Sequence, residues 1–265
     1  MKLPAILGCL LLLPVLARAE DEDLNTRLMR ATVKISHDQS TATGFIVSRG
    51  PDETPILVTA AHVFEKTPGD ETSIIFRRKV AEGDYAKQPT KLAIRKDGHA
   101  LWTKHPTEDV AVIRVAPPAD ADLARISTDL LATDEILRAR KIHPGDQLAI
   151  LGYPHREEGS QAGFPLLRDG PIASFPLLPT ARTRTFFLSA NSFEGDSGGP
   201  VYLSRPGRLA PIGEDDSLIL GLVSGQRFLD EEMKMIYGTT KVRHRLGLAV
   251  VVHASFIRET VDRLK

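Results

Sequence analysis

Apolar and polar positions alternate along this chain in short runs, with the two-residue period of strands. Ala31, Val33 and Ile35 are set against Thr32, Lys34 and Ser36, as in a half-buried strand. Residues 44–48 read as a second strand. The turn signals Gly50-Pro51-Asp52 separate it from a third, Ile56-Leu57-Val58-Thr59. Residues 73–76, 91–94 and 110–115 continue the series. Ala116-Pro117-Pro118-Ala119-Asp120 then breaks it, and residues 123–143 read as a mixed connector with a short helix around 133–138. A second series follows at 147–151, 172–175, 185–189, 201–203, 218–223 and 248–252. At the end, Ile257, Val261 and Leu264 fall on one face of a terminal amphipathic helix, with Ser255 as its expected cap. The pattern predicts an all-β chain of two units, 20–122 and 146–265, joined by 123–145 and closed by a short C-terminal helix.

The first residues do not belong to this pattern. Met1-Lys2, an apolar run from Leu3 to Leu16 and Ala17-Arg18-Ala19 make a secretory signal peptide over 1–19. The apolar run is short for a membrane span, and no later run is long enough, so no stable membrane insertion is expected after cleavage. Cys9 is the only cysteine, so the exported chain must be held by its core rather than by disulfides. The 34 basic and 34 acidic side chains balance, with no basic block or interleaved aromatics. Nucleic acid is therefore not an expected partner. The histidines show no metal-ligand spacing, and no metal or cofactor is implied.

Chemistry concentrates at Asn191-Ser192-Phe193-Glu194-Gly195-Asp196-Ser197-Gly198-Gly199-Pro200. A serine between glycines suits acyl transfer. Gly195 lets the backbone turn so that its N–H and that of Ser197 point to one spot, an oxyanion hole. The same string also reads as a surface turn, so a base and an orienting group are required. Thr59-Ala60-Ala61-His62 ends a buried strand with a histidine, the side chain suited to general base work near neutral pH. Asp109 stands before the apolar run 110–113 and is placed for burial, where a carboxylate needs a partner. Taken singly, His62 also reads as a structural histidine and Asp109 as a turn residue. Glu108, next to it, points to the opposite face.

Together these motifs resemble the chymotrypsin-like (trypsin-like) serine peptidase family, in the chain order His, Asp, Ser. Ser224 in Leu222-Val223-Ser224-Gly225 matches the serine that follows the nucleophile in that family. The resemblance spans about residues 31–255. It implies two perpendicular six-stranded antiparallel β-barrels with a cleft between them. It also implies His62, Asp109 and Ser197 as the triad, and the N–H groups of Gly195 and Ser197 as the oxyanion hole. Asn191, Ser192, Ser224, Gly225 and Gln226 would bind substrate. Asn191 falls near the pocket floor, where the aspartate that selects Arg or Lys is missing.

The cysteine-free mature chain looks like the bacterial, Deg/HtrA-like branch without its usual PDZ domain. The expectation is a secreted or periplasmic endopeptidase acting on proteins or peptides, with no homo-oligomer expected. In vertebrate-type trypsins a new amino terminus pairs with the aspartate before the nucleophile. The expected terminus here is Glu20, so Asp196 is expected to pair with an internal cation, for which Arg168, Arg182 and Arg184 are candidates. Two alternatives stand beside this reading. One is an α/β-hydrolase esterase enlisting Asp230 and His253 after Gly195-x-Ser197-x-Gly199. The other is a peptidase fold that has lost turnover and serves as a binding module.

Overall fold

The computed structural model describes residues 23–38, 40–51, 53–203, 217–235 and 237–264. The expected signal peptide, 1–19, lies outside the described residues. Among those described, no helix is long and apolar enough to cross a membrane.

The N-terminal half opens with an element the alternation did not suggest, helix α1 (Leu24–Ala31). Asp23 caps it by accepting from the Thr26 N–H at 2.7 Å, and Leu24, Leu28 and Ala31 are buried one turn apart. The strands β1 (Thr32–His37), β2 (Ser40–Ser48) and β3 (Ile56–Thr59) follow, with α2 (Ala61–Lys66) directly after β3. Next come β4 (Glu71–Ala81) and β5 (Asp84–Ala93). A small hairpin joins β6 (Arg95–Lys96) to β7 (His99–Ala100) through Asp97-Gly98, both at positive φ. The half ends with β8 (Thr103–Lys104), β9 (Ala111–Arg114) and β10 (Ile126–Ser127). The sheet order is β5-β4-β1-β2-β3-β9-β8, antiparallel throughout, with β10 added parallel to β2. In β2 every residue from Ala42 to Ser48 is buried, which explains why its central run is continuous rather than alternating.

Helix α3 (Asp134–Ala139), capped by Thr133, lies in the connector. The second sheet contains β11 (Gln147–Gly152), β12 (Leu166–Pro171), β13 (Thr185–Leu188), β14 (Pro200–Leu203), β15 (Ile219–Met235) and β16 (Gly238–His253). Helix α4 (Thr180–Thr183) precedes β13. The order β12-β11-β14-β15-β16-β13 is antiparallel, and an isolated bridge between Ile172 and Leu188 joins its two edges at one end. Residues from both sheets form one hydrophobic cluster. Helix α5 (Ala254–Arg263) packs against β9 and β15 and so ties the sheets together. The expected cap, Ser255, sits inside α5. His253 occupies the cap without a side-chain bond, and Ser255 Oγ instead donates to Thr180 Oγ1 at 3.1 Å.

The largest departure is in β15 and β16. The alternation suggested strands of six and five residues there, but the pair runs to 17 and 16. Beyond Gly225 both strands are charged and mostly exposed, so no apolar period marks them. Cross-strand pairs hold the extension instead. Asp230 meets Arg243 at 2.6 Å and Glu231 meets His244 at 3.0 Å.

Candidate active site

Antiparallel pairing of β3 with β9 sets Thr59 opposite Ala111. His62, in the first turn of α2, and Asp109, two residues before β9, are thereby brought together. The His62 N–H donates to Asp109 Oδ1 at 2.9 Å, and His62 Nδ1 lies 2.7 Å from Oδ2. An ionised carboxylate only accepts, so the imidazole proton sits on Nδ1 and Nε2 is left to accept. Ser197 Oγ is the group it meets, at 3.0 Å. Ser224 Oγ donates to Asp109 Oδ2 at 2.6 Å. Burial pushes the Asp109 carboxyl up. The hydrogen bonds from His62 and Ser224, with the charge of the imidazole, outweigh that and hold it at about 2.

Ser197 comes from the loop before β14, across the cleft from His62. Its carbonyl accepts from the Thr43 N–H at 2.9 Å, and the Gly198 N–H donates to the Val223 carbonyl at 2.7 Å. Thr43 Oγ1 adds a bond to the Gly195 carbonyl at 2.6 Å. Gly195 has φ 102°, and a Cβ there would run into the Tyr153 carbonyl, so both conformation and space require glycine. Among the described residues, neither the Gly195 N–H nor the Ser197 N–H has a protein acceptor. Both residues line an open cleft of about 550 Å³. Two donors held free beside a hydroxyl is the arrangement that stabilises charge on an attacked carbonyl oxygen.

Asp196 is fully buried, and Arg168 on β12 grips it with both nitrogens, Nη2 to Oδ1 at 2.6 Å and Nη1 to Oδ2 at 2.8 Å. Oδ2 also accepts the Phe193 N–H at 2.7 Å, and Arg168 Nη1 reaches the Asn191 carbonyl at 3.2 Å. One ion pair therefore pins both ends of the loop that carries Gly195. Gly152 leaves room for it, since a Cβ there would stand 2.5 Å from Asp196 Oδ1. The other candidate cations are engaged elsewhere or exposed. Arg184 meets the buried Glu108 at 3.2 Å, on the face opposite to Asp109, and Arg182 is exposed.

The expected substrate residues are split. Asn191 is exposed and Ser192 buried in the loop held by Arg168, while Ser224, Gly225 and Gln226 lie along β15. None of these five lines the open cleft. Its walls include His37, Lys66, His155, Arg156 and Glu194, on the other side of Ser197. Thr43 carried no motif. It stands in a strand, and only the folded chain puts it under the Gly195 carbonyl.

The family model of the trypsin-like peptidase domain matches residues 42–210. The chain belongs to the trypsin-like peptidase family. No curated protein matches it by sequence. Among solved structures, this trypsin-like peptidase is similar to a serine-to-alanine mutant of Rv3671c from M. tuberculosis H37Rv in its inactive form. The identity is 18% and the TM-score 0.50, over 92% of this chain and 91% of that one. It is also similar to the protease Anisep from Arthrobacter nicotinovorans, at 12% identity and TM-score 0.50, over 90% of this chain and 96% of the other. These likenesses are to the chymotrypsin-like two-barrel fold, which in this trypsin-like peptidase takes the form of two sheets of six or more strands.

Proposed function

We propose that this trypsin-like peptidase is an exported serine endopeptidase working through His62, Asp109 and Ser197. The observation that carries the reading is the unbroken relay from Ser197 Oγ to His62 Nε2 at 3.0 Å and from His62 Nδ1 to Asp109 at 2.7 Å. Ser197 Oγ attacks the carbonyl carbon of the scissile bond while its proton passes to His62 Nε2. Asp109 keeps the tautomer that leaves Nε2 free and stabilises the imidazolium. The oxyanion takes hydrogen bonds from the Gly195 and Ser197 N–H groups. His62 then returns the proton to the departing amine, leaving an acyl-Ser197 ester. A water molecule deprotonated by His62 attacks that ester and frees the second product.

The cleft beside Gly195 receives the leaving-group side of the substrate, and the β15 edge from Ser224 to Gln226 receives the acyl side. With Asn191 rather than a carboxylate near the expected pocket floor, the pocket lacks the group that would select Arg or Lys. Export rests on the signal-like residues 1–19 and is tested by the amino terminus of material recovered outside the cytoplasm.

A fluorophosphonate probe tests the chemistry. The expected result is an adduct on Ser197, mapped by mass spectrometry, that is lost in Ser197→Ala and strongly reduced in His62→Ala. A folded protein that forms no adduct would overturn the reading.

A further inference from the structure

Beyond Val223, whose N–H and C=O still bond to Gly199 and Gly198, β15 has no strand beside it on one side among the described residues. Pairing with β14 covers only Ile219 to Leu222, whereas pairing with β16 continues to Met235. Among the described residues, one edge of β15 is therefore unpaired from Ser224 outward to Met235. Its inner end is the Ser224–Gln226 stretch already assigned to substrate.

The hairpin geometry says which groups face out. Only two residues separate Met235 from Gly238, so this pair must be hydrogen-bonded to each other. The register is uninterrupted from Phe228 to Met235. Alternation then turns the N–H and C=O groups of Met235, Met233, Glu231 and Leu229 toward β16. Those of Lys234, Glu232, Asp230 and Phe228 turn toward solvent. The two faces of the arm also differ. Leu229, Met233 and Met235 share one face with Glu231 and are 54%, 49% and 65% exposed. The other face carries Phe228, Asp230, Glu232 and Lys234 opposite Arg245, Arg243, Lys241 and Thr239. The arm's base is fixed on that face, where the Arg245 guanidinium stands 4.7 Å from the ring centroid of Phe193, in the loop before Ser197.

We propose that the outer edge of β15, from Phe228 to Lys234, is an extended binding site for the substrate polypeptide upstream of the scissile bond. The upstream chain adds to β15 as a further antiparallel strand. The proposal rests on the peptidase reading above and on β15 running as one strand from beside Ser197 into the arm, through an irregularity in its pairing with β16 between Gln226 and Phe228. Unpaired edge groups are a template for an incoming strand. Running antiparallel, the upstream chain leads away from Ser197 toward the tip of the arm. From Gln226 to Lys234 it travels roughly 27 Å. The occupant must be extended and free of its own partners, so the arm selects an unfolded segment over a folded loop. Alternate residues of that segment lie beside Leu229, Glu231, Met233 and Met235, so apolar side chains fit best beside Leu229 and beside the Met233–Met235 end of the row.

The test compares one cleavable core peptide with the same core extended upstream by about four, eight and twelve residues, and with a downstream-extended control. Expected is a rise in kcat/KM on the order of tenfold with upstream extension only. Glu232→Pro removes an outward N–H without removing a bond to β16, and it should bring the ratio of extended to core kcat/KM to about one. Glu232→Ala should keep the ratio. Replacing 229–244 by a short Asn-Gly turn is a second variant with the same expected loss.

Equal kcat/KM at all upstream lengths, or a ratio that survives Glu232→Pro, overturns the proposal. Failure of the peptidase reading shows separately, as no fluorophosphonate adduct and no cut at any length. In that case anisotropy with labelled peptides on Ser197→Ala decides. Tighter binding of the extended peptide that is lost in Glu232→Pro supports the arm site, and equal binding of core and extended peptides overturns it.

Discussion

Arg168 closes two hydrogen bonds on Asp196, 28 residues further along the chain and immediately before Ser197. The same guanidinium also reaches the Asn191 carbonyl. In vertebrate-type trypsins the partner of this aspartate is an ammonium released by cleavage. Here a side chain already in place satisfies the buried carboxylate and holds both ends of the Gly195 loop.

The first prediction follows directly. Arg168→Ala leaves Asp196 buried and unpaired, which costs about 3–5 kcal/mol of stability. It also frees the loop that aims the Gly195 N–H, and kcat/KM should fall by about 100- to 1,000-fold. Arg168→Lys should land between, because an ammonium lacks the fork that grips both oxygens. Urea unfolding and steady-state kinetics on the two variants check this. Full activity in a folded Arg168→Ala protein would remove the ion pair from any role in the site.

Ser224 is expected to matter through Asp109. It supplies one of the bonds that hold the carboxyl at about 2. Ser224→Ala should raise the Asp109 pKa and weaken its hold on His62, lowering kcat/KM about tenfold, the scale of one hydrogen bond to a charged group. Because the folded pKa lies below the ordinary value of 3.8, the stability Asp109 contributes is present above that value and is lost as pH falls toward 2. The variant should therefore show a shallower loss of stability across that acid window. An unchanged acid limb with unchanged kinetics would sink the idea.

His253 makes a separate, structural pH dependence. Burial pushes its pKa from 6.5 down to about 4, against a smaller upward pull from Asp134. Its ring packs on Phe186 with centroids 4.9 Å apart, and Nε2 lies 3.4 Å from Thr183 Oγ1. The unfolded chain takes up a proton below 6.5, whereas the folded chain does so only near 4. Stability is thus full above 6.5 and falls by about 3 kcal/mol as pH drops through that interval. Unfolding curves of His253→Gln should lose this slope, and a slope equal to that of the parent protein would assign it elsewhere.

Arg77 is a buried cation, and among the described residues no carboxylate pairs with it. Its guanidinium donates to the carbonyls of Arg30, Thr32 and Gly163 at 2.9, 2.8 and 3.0 Å and lies 4.6 Å from the Phe164 ring centroid. Tyr153, its neutral form favoured by burial to about 12, donates to the same Gly163 carbonyl at 3.0 Å. Arg77→Met keeps the length but takes a donor from three carbonyls, of which that of Gly163 keeps the Tyr153 hydroxyl. Destabilisation on the order of 3 kcal/mol is expected by urea unfolding. A change under 1 kcal/mol would mean that water or a repacked loop replaces it.

Much of the molecule was legible in the chain because it is encoded locally. The strands around residues 33, 45, 57, 112, 150 and 251 bury one or both faces, and that burial writes a period of two or an unbroken apolar run. Short motifs marked His62, Asp109, Ser197 and Ser224 because each role demands a particular side chain with particular neighbours. Helix α1 was within reach too, since Asp23 followed by Leu24, Leu28 and Ala31 is a capped helical spacing. It was hidden by the acidic run that leads into it.

The strand-rich architecture and the order of the chemical groups can thus be read from the chain alone, and the resemblance adds the expectation of an internal cation near Asp196. Only the folded chain shows which cation answers, because Arg168, Arg182 and Arg184 differ in where β12, α4 and the end of α4 carry them. It also placed Thr43 under Gly195 and drew β15 and β16 out into an arm. Those outcomes depend on pairings between distant residues, and in the arm cross-strand charges replace the buried apolar face. Neither leaves a periodic mark on one strand alone, so the folded chain is where they first become visible.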